Sequence, residues 1–149
     1  MSEVKIAGVT YANPIDEGQE NRQDILKTFY GYIPTVVTLE NVIHHNEETG
    51  LGEFAIKVRS DINGKLLGYI PKSEISTWNT TGKMIMTVGC YKNTYYGVLT
   101  PMKNPTNKQY HVMKSLVEKG FVDKMPTYDS TVYGWVFDQV YATNPSLRK

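Results

Sequence analysis

Aromatic rings and bases recur close together in this chain, and that combination has a chemistry of its own. Tyr69 and Lys72 lie three positions apart, Lys57 and Arg59 flank Val58, and Tyr91-Lys92-Asn93 runs on into Tyr95 and Tyr96. An exposed ring stacks on any nucleobase, worth about 1–3 kcal/mol per base, while lysine and arginine hold the phosphate backbone. Tyr11, Lys57, Arg59, Tyr69, Lys72 and Lys92 are therefore the candidate nucleic-acid-binding residues. The competing reading is structural: tyrosines on small barrels pack half-buried with a wetted hydroxyl, and strand-face bases are solvated.

Other chemistries lack their residues. His44 and His45 are adjacent, hence on opposite faces of an extended chain, and His111 stands apart, so no metal site is expected. Phosphate-loop, nucleophile-elbow, zinc-protease and paired-carboxylate patterns do not occur. The expectation is a protein that binds without cofactor and without catalysing a reaction.

Charge is unevenly distributed behind a net +1. Residues 1–53 hold nine acids against three bases, and residues 54–114 hold nine bases against two acids, balances of −6 and +7. A basic segment suits a phosphate-rich partner, but it equally suits a fold in which acidic and basic segments face each other. The chain has 149 residues, enough for one domain with a real core. Its single cysteine, Cys90, precludes an internal disulfide and points to a cytoplasmic location; the thiol is expected to be packed within a strand. No apolar run is long enough to span a membrane, and MSEVKIAGVTY carries no secretory signal pattern.

These residues need elements to position them. Val4–Tyr11 reads as a first strand with Gly8 at a bulge. Asn21 caps a helix to about Tyr30 that buries Ile25, Leu26 and Phe29. A strand from Pro34 through Ile43 precedes the polar loop 44–52. Phe54–Arg59 and Lys65–Ile70 then form a hairpin, with Phe54, Ile56 and Val58 inward, Lys57 and Arg59 outward, and Asn63-Gly64 at positive φ in the turn. Pro71 opens a short helix with Ile75 and Trp78 inward, broken at Thr80-Thr81-Gly82. Met84–Tyr91 pairs with Tyr95–Leu99 across Lys92-Asn93. A helix at Thr106–Lys119 ends at Gly120, with Phe121 folding back onto Leu116. Thr131–Tyr141 reads as a last strand with Tyr133, Trp135 and Phe137 on one face. The sum is a mainly β chain: a small SH3/OB-like barrel of about six strands over residues 1–102. A helix–strand extension at 103–149 packs on the barrel or on a partner chain.

Three blocks, IAGVTY, FAIKV and GKLLGYIPKSEI, occur in an order and spacing that resembles the HIRAN domain over roughly residues 4–100. That resemblance implies a small barrel, found alone in bacteria and phages or fused to helicase-like ATPases and nucleases. It implies single-stranded DNA or DNA ends as ligand, a helicase or nuclease as partner, and a role in DNA repair or replication. Tyr11 matches the family's stacking ring, while Tyr69 and Lys72 match its DNA-facing rim. The chain departs from the family at Thr10, where a base is usual, and at Leu51 and Gly52, where a second ring and an acid are usual. Those departures remove parts of the clamp for a 3′ end. A protein-interaction barrel, dimerising through its C-terminal extension, is the alternative.

Overall fold

The structure, a computed structural model, describes residues 3–45, 50–78 and 82–148. Six antiparallel strands form one curled sheet: β1 (Val4–Lys5), β2 (Thr35–His45), β3 (Gly52–Ser60), β4 (Leu66–Tyr69), β5 (Gly82–Tyr91) and β6 (Thr94–Pro101). Their order is β1-β6-β5-β2-β3-β4. The expected eight-residue first strand is instead two short contacts. Val4 and Lys5 pair with β6, and Ala7 exchanges two hydrogen bonds with Tyr69 of β4, at 2.7 and 2.9 Å. The chain after β1 thus crosses from one sheet edge to the other and closes the barrel. Gly68 permits this crossing, because a Cβ there would lie 2.5 Å from the Ala7 carbonyl.

Alternation fills the barrel. Val37, Leu39, Ile56, Val58, Met84, Met86, Val88 and Leu99 face inward. Helix α1 (Arg22–Thr28) adds Ile25 and Leu26 to that core, with Phe29 just beyond it. The Asn21 side chain caps α1 by accepting from Gln23 N, as its position before the apolar stripe suggested. Two turns trade places relative to expectation. Asn63-Gly64 belongs to a four-residue loop built on buried Ser60, and only Gly64 has positive φ (70°). The two-residue turn with both φ positive is Lys92-Asn93, at 48° and 64°. Cys90, next to that turn, is exposed rather than packed, since the β5–β6 ribbon there has outrun the core. After β4 come a 3-10 turn at Lys72–Glu74 and helix α2 (Ile75–Trp78), with Ile75 packed on the core. The Trp78 side chain, Thr80-Thr81 and residues 46–49 lie outside the described residues.

Beyond the barrel, α3 (Asn107–Glu118) carries a full capping box between Thr106 and Gln109. It ends as expected: Gly120 has φ 84°, and Gly120 N and Phe121 N bond back to Val117 O and Leu116 O. The last strand of the extension does not form. Residues Ser130–Thr143 are a helix, α4, whose N-cap Asp129 accepts from Thr131 N and Val132 N. Tyr133, Phe137 and Val140 are buried at helical spacing with Ile33, Met113 and Leu116, while Trp135 stays 62% exposed. Gly134 seats α4 on the outside of the sheet, because a Cβ there would lie 2.6 Å from Val36 Cγ2. Asp138 clamps the same contact, accepting from Thr35 Oγ1 at 2.7 Å and Val36 N at 3.3 Å. Packing against the sheet and α3 overrides the β propensity of this aromatic run. Among the described residues no helix is long and apolar enough to cross a membrane.

Candidate nucleic-acid interface

A groove of about 400 Å³ opens where the N-terminal crossing meets the start of β3 and the exit of β4. Tyr69, Lys72 and Phe54 line it together with an apolar floor that includes Ile70, Pro71 and Ile75. Two of the six candidate residues, Tyr69 and Lys72, therefore meet at one site. Lys72 is 83% exposed and sits 3.1 Å from Glu53, a surface pair that restrains it weakly.

Behind this groove lies a buried cation that the sequence reading passed over. Arg22 is only 5% exposed. Its Nε donates to Asn13 Oδ1 at 2.7 Å and its Nη1 donates to Gly8 O at 2.8 Å. Its guanidinium carbon stands 5.2 Å from the Tyr69 ring centroid. Asn13, also buried, passes the link on by donating to Leu66 O at 2.9 Å. Among the described residues no carboxylate pairs with Arg22. Held by neutral acceptors and a ring, the guanidinium sets a positive charge directly behind Tyr69. Gly8, at φ 72°, is required here twice over, since a Cβ would also press Arg22 Nη1 at 3.3 Å.

Phe54 keeps the face that alternation gives it but not the burial. It does share the inward face with Ile56 and Val58, but it is 56% exposed. The reason is register. β2 pairs with β5 only as far as Leu39, whereas the β2–β3 ribbon continues through Ile43–Phe54 to His45–Gly52. The inward face thus runs out of core at Phe54 and becomes the wall of the groove. Leu51, where the HIRAN pattern has a ring, is 68% exposed, and Phe54 brings a ring to the groove three positions later.

Lys57 and Arg59 have a different fate. Glu17 accepts from Arg59 Nη1 at 2.7 Å and from Lys57 Nζ at 2.9 Å, and Glu40 accepts from Arg59 Nη2 at 3.1 Å. The Arg59 hydrogen bonds, seconded by Lys57, hold the Glu17 carboxyl at about 2 against burial, which acts in the opposite direction. Glu20 pairs with Lys65, and Asp61 with Lys83. Acidic and basic segments therefore do face each other over the hairpin. Of the nine bases between 54 and 114, Lys57, Arg59, Lys65, Lys72 and Lys83 are ion-paired among the described residues, leaving Lys92, Lys103, Lys108 and Lys114 without such a pair there.

Tyr11 and Lys92 stand elsewhere. The Tyr11 ring is 68% exposed on the loop before α1, its carbonyl accepting from Arg22 N, and it does not line the groove. Lys92 sits at the β5–β6 turn with its ammonium 5.4 Å from the exposed Tyr91 ring. Nearby, Gln23 clamps the Tyr95 backbone by two hydrogen bonds, and Tyr30 meets the Tyr95 ring edge-on at 5.4 Å. Comparison with family models, curated proteins and solved structures found no match.

Proposed function

We propose that this chain is a non-catalytic nucleic-acid-binding module that takes single-stranded DNA or a DNA end in the groove beside Tyr69. One observation carries the reading: two rings, Phe54 and Tyr69, share a groove with exposed Lys72, and buried Arg22 stands behind Tyr69 without a counter-charge among the described residues. Bases stack on the rings while the two cations attract the backbone, the division of labour that sequence-tolerant strand binding requires. The HIRAN-like blocks place Tyr69 and Lys72 at the family's DNA-facing rim, which supports the same groove. Gly52 stands where the family has an acid, and Glu53, the acid that lines the groove, is paired with Lys72 at 3.1 Å, so a strand is preferred to a 3′ end. Such a module acts in the cytoplasm beside a helicase or nuclease. Fluorescence anisotropy with 3′-hydroxyl and 3′-phosphate oligonucleotides tests this; similar, salt-sensitive affinities are expected. Absence of salt-sensitive binding at micromolar protein refutes it.

A protein-interaction barrel is the second reading, favoured by the apolar groove floor and by exposed Ile43, Leu51 and Phe54 at the ribbon end. The departures at Leu51 and Gly52 fit it as well, but the aromatic C-terminal strand for pairing with a second chain does not, since residues 130–143 form a helix. Light scattering after size exclusion separates the two: a strict monomer that binds DNA counts against it.

A further inference from the structure

A second cavity, of about 460 Å³, lies where α3 meets the outer face of β5 and β6. It is a different place from the groove, on the opposite edge of the hairpin order, and its lining has a different character. Two tyrosines line it: Tyr32 from the connector before β2 and Tyr96 from β6. Tyr96 leans across Gly89, which has no side chain to hold it off, since a Cβ there would lie 2.4 Å from the ring. Each ring carries an ammonium: Lys5 Nζ is 4.8 Å from the Tyr96 centroid, and Lys119 Nζ is 5.4 Å from that of Tyr32. Lys108 lines the cavity directly. None of these three lysines forms an ion pair among the described residues, and Glu3 is the one acid in the lining. Buried Gln109 fixes the depth of the cleft, donating to Thr100 Oγ1 at 2.8 Å while accepting from Thr106 N at 3.0 Å.

We propose that this cleft binds a nucleoside phosphate, its base against Tyr32 and its phosphate at Lys108. A bare anion would make no use of the Tyr32 ring, and an apolar ligand would make no use of the Lys108 ammonium. Of the bases left outside the ion pairs of the described residues, Lys108 is the one that lines this cavity. The proposal does not depend on the groove binding DNA.

Amide NMR titration of the full chain with dTMP, with a short oligo-dT and with inorganic phosphate tests it. The expected result is saturable shifts at Gly89, Tyr96 and Gln109 with dTMP or oligo-dT, and much weaker ones with phosphate. Saturation by dTMP identifies a free nucleotide as the source of the chemistry; saturation by oligo-dT alone identifies a unit of a strand. Tyr32→Ala is expected to weaken binding about tenfold. Lys108→Ala is expected to flatten the oligo-dT salt dependence by about 0.7 in log–log slope. Titrating Tyr69→Ala in parallel keeps the two sites apart, since cleft shifts are expected to survive in it. No cleft shifts with either nucleotide ligand would overturn the proposal, as would an equal response to phosphate with Tyr32→Ala behaving as wild type.

Discussion

The two faces of the Phe54–Lys72 hairpin carry similar bases and treat them in opposite ways. On its outer face Lys57 and Arg59 converge on one carboxylate, Glu17, and all three side chains are less than a quarter exposed. At its exit Lys72 meets only the exposed carboxylate of Glu53 at 3.1 Å, and Arg22 lies buried against Tyr69 with neutral partners only among the described residues. A base locked onto a part-buried carboxylate serves the fold, while one that meets neutral groups or only an exposed carboxylate stays open to a ligand; the number of bases in a segment says little. The difference is topological. The loop carrying Glu17 drapes over the outer face, while the exit is covered by the Ala7 crossing, whose backbone offers carbonyls and no charge.

Mutations at the two places should separate them. The largest effect is expected for Arg22→Ala, which orphans Asn13 and the Gly8 carbonyl and should cost about 3–4 kcal/mol of stability in chemical denaturation. Next comes Glu17→Ala. It strands Lys57 and Arg59 together and should cost about 2–3 kcal/mol, with oligonucleotide affinity unchanged or slightly raised. Its pH signature has a definite sign. Because the folded carboxyl sits at about 2 rather than the usual 4.5, its stabilisation is complete above about 4.5 and is lost as pH falls from there through about 2. Stability of Glu17→Gln should therefore fall less steeply than wild type across that window, measured as denaturation midpoints at a series of acid pH values. Smaller again, Phe54→Ala should leave stability nearly intact and weaken strand binding by about 1–2 kcal/mol. Smallest is Lys72→Ala, expected to lower affinity by about 0.5 kcal/mol and to reduce the salt slope, read by anisotropy at two salt concentrations.

Much of this architecture was legible before the structure, and the exceptions share causes. Asn21, Thr106 and Gly120 announced helix ends because capping is local chemistry, satisfied within four residues of the chain. The ribbon FAIKV was legible because period-2 alternation needs only a core on one side. Its range was not: nothing local says that β5 stops covering β2 at Leu39, and so Phe54 was assigned inward. Residues 130–143 fit both periods. Tyr133, Trp135 and Phe137 read as a strand face, yet Tyr133, Phe137 and Val140 are the buried helical stripe. Asp129, a capping residue just before the run, was the available signal and was passed over. Arg22 was out of reach, since a base in the first turn of a helix looks solvated until the N-terminal loop folds over it. Tyr69 and Lys72 share one block of sequence and line one groove, whereas charge alone says nothing of the Glu17 carboxylate that Lys57 and Arg59 meet.

The central claim, that the exit binds and the outer face only folds, is most directly tested by one salt-series anisotropy titration of an unstructured oligonucleotide against wild type, Tyr69→Ala and Lys57→Gln. Salt-sensitive binding that Tyr69→Ala weakens about tenfold and Lys57→Gln leaves unchanged is the expected result. Equal binding by wild type and Tyr69→Ala, or a loss confined to Lys57→Gln, would contradict it.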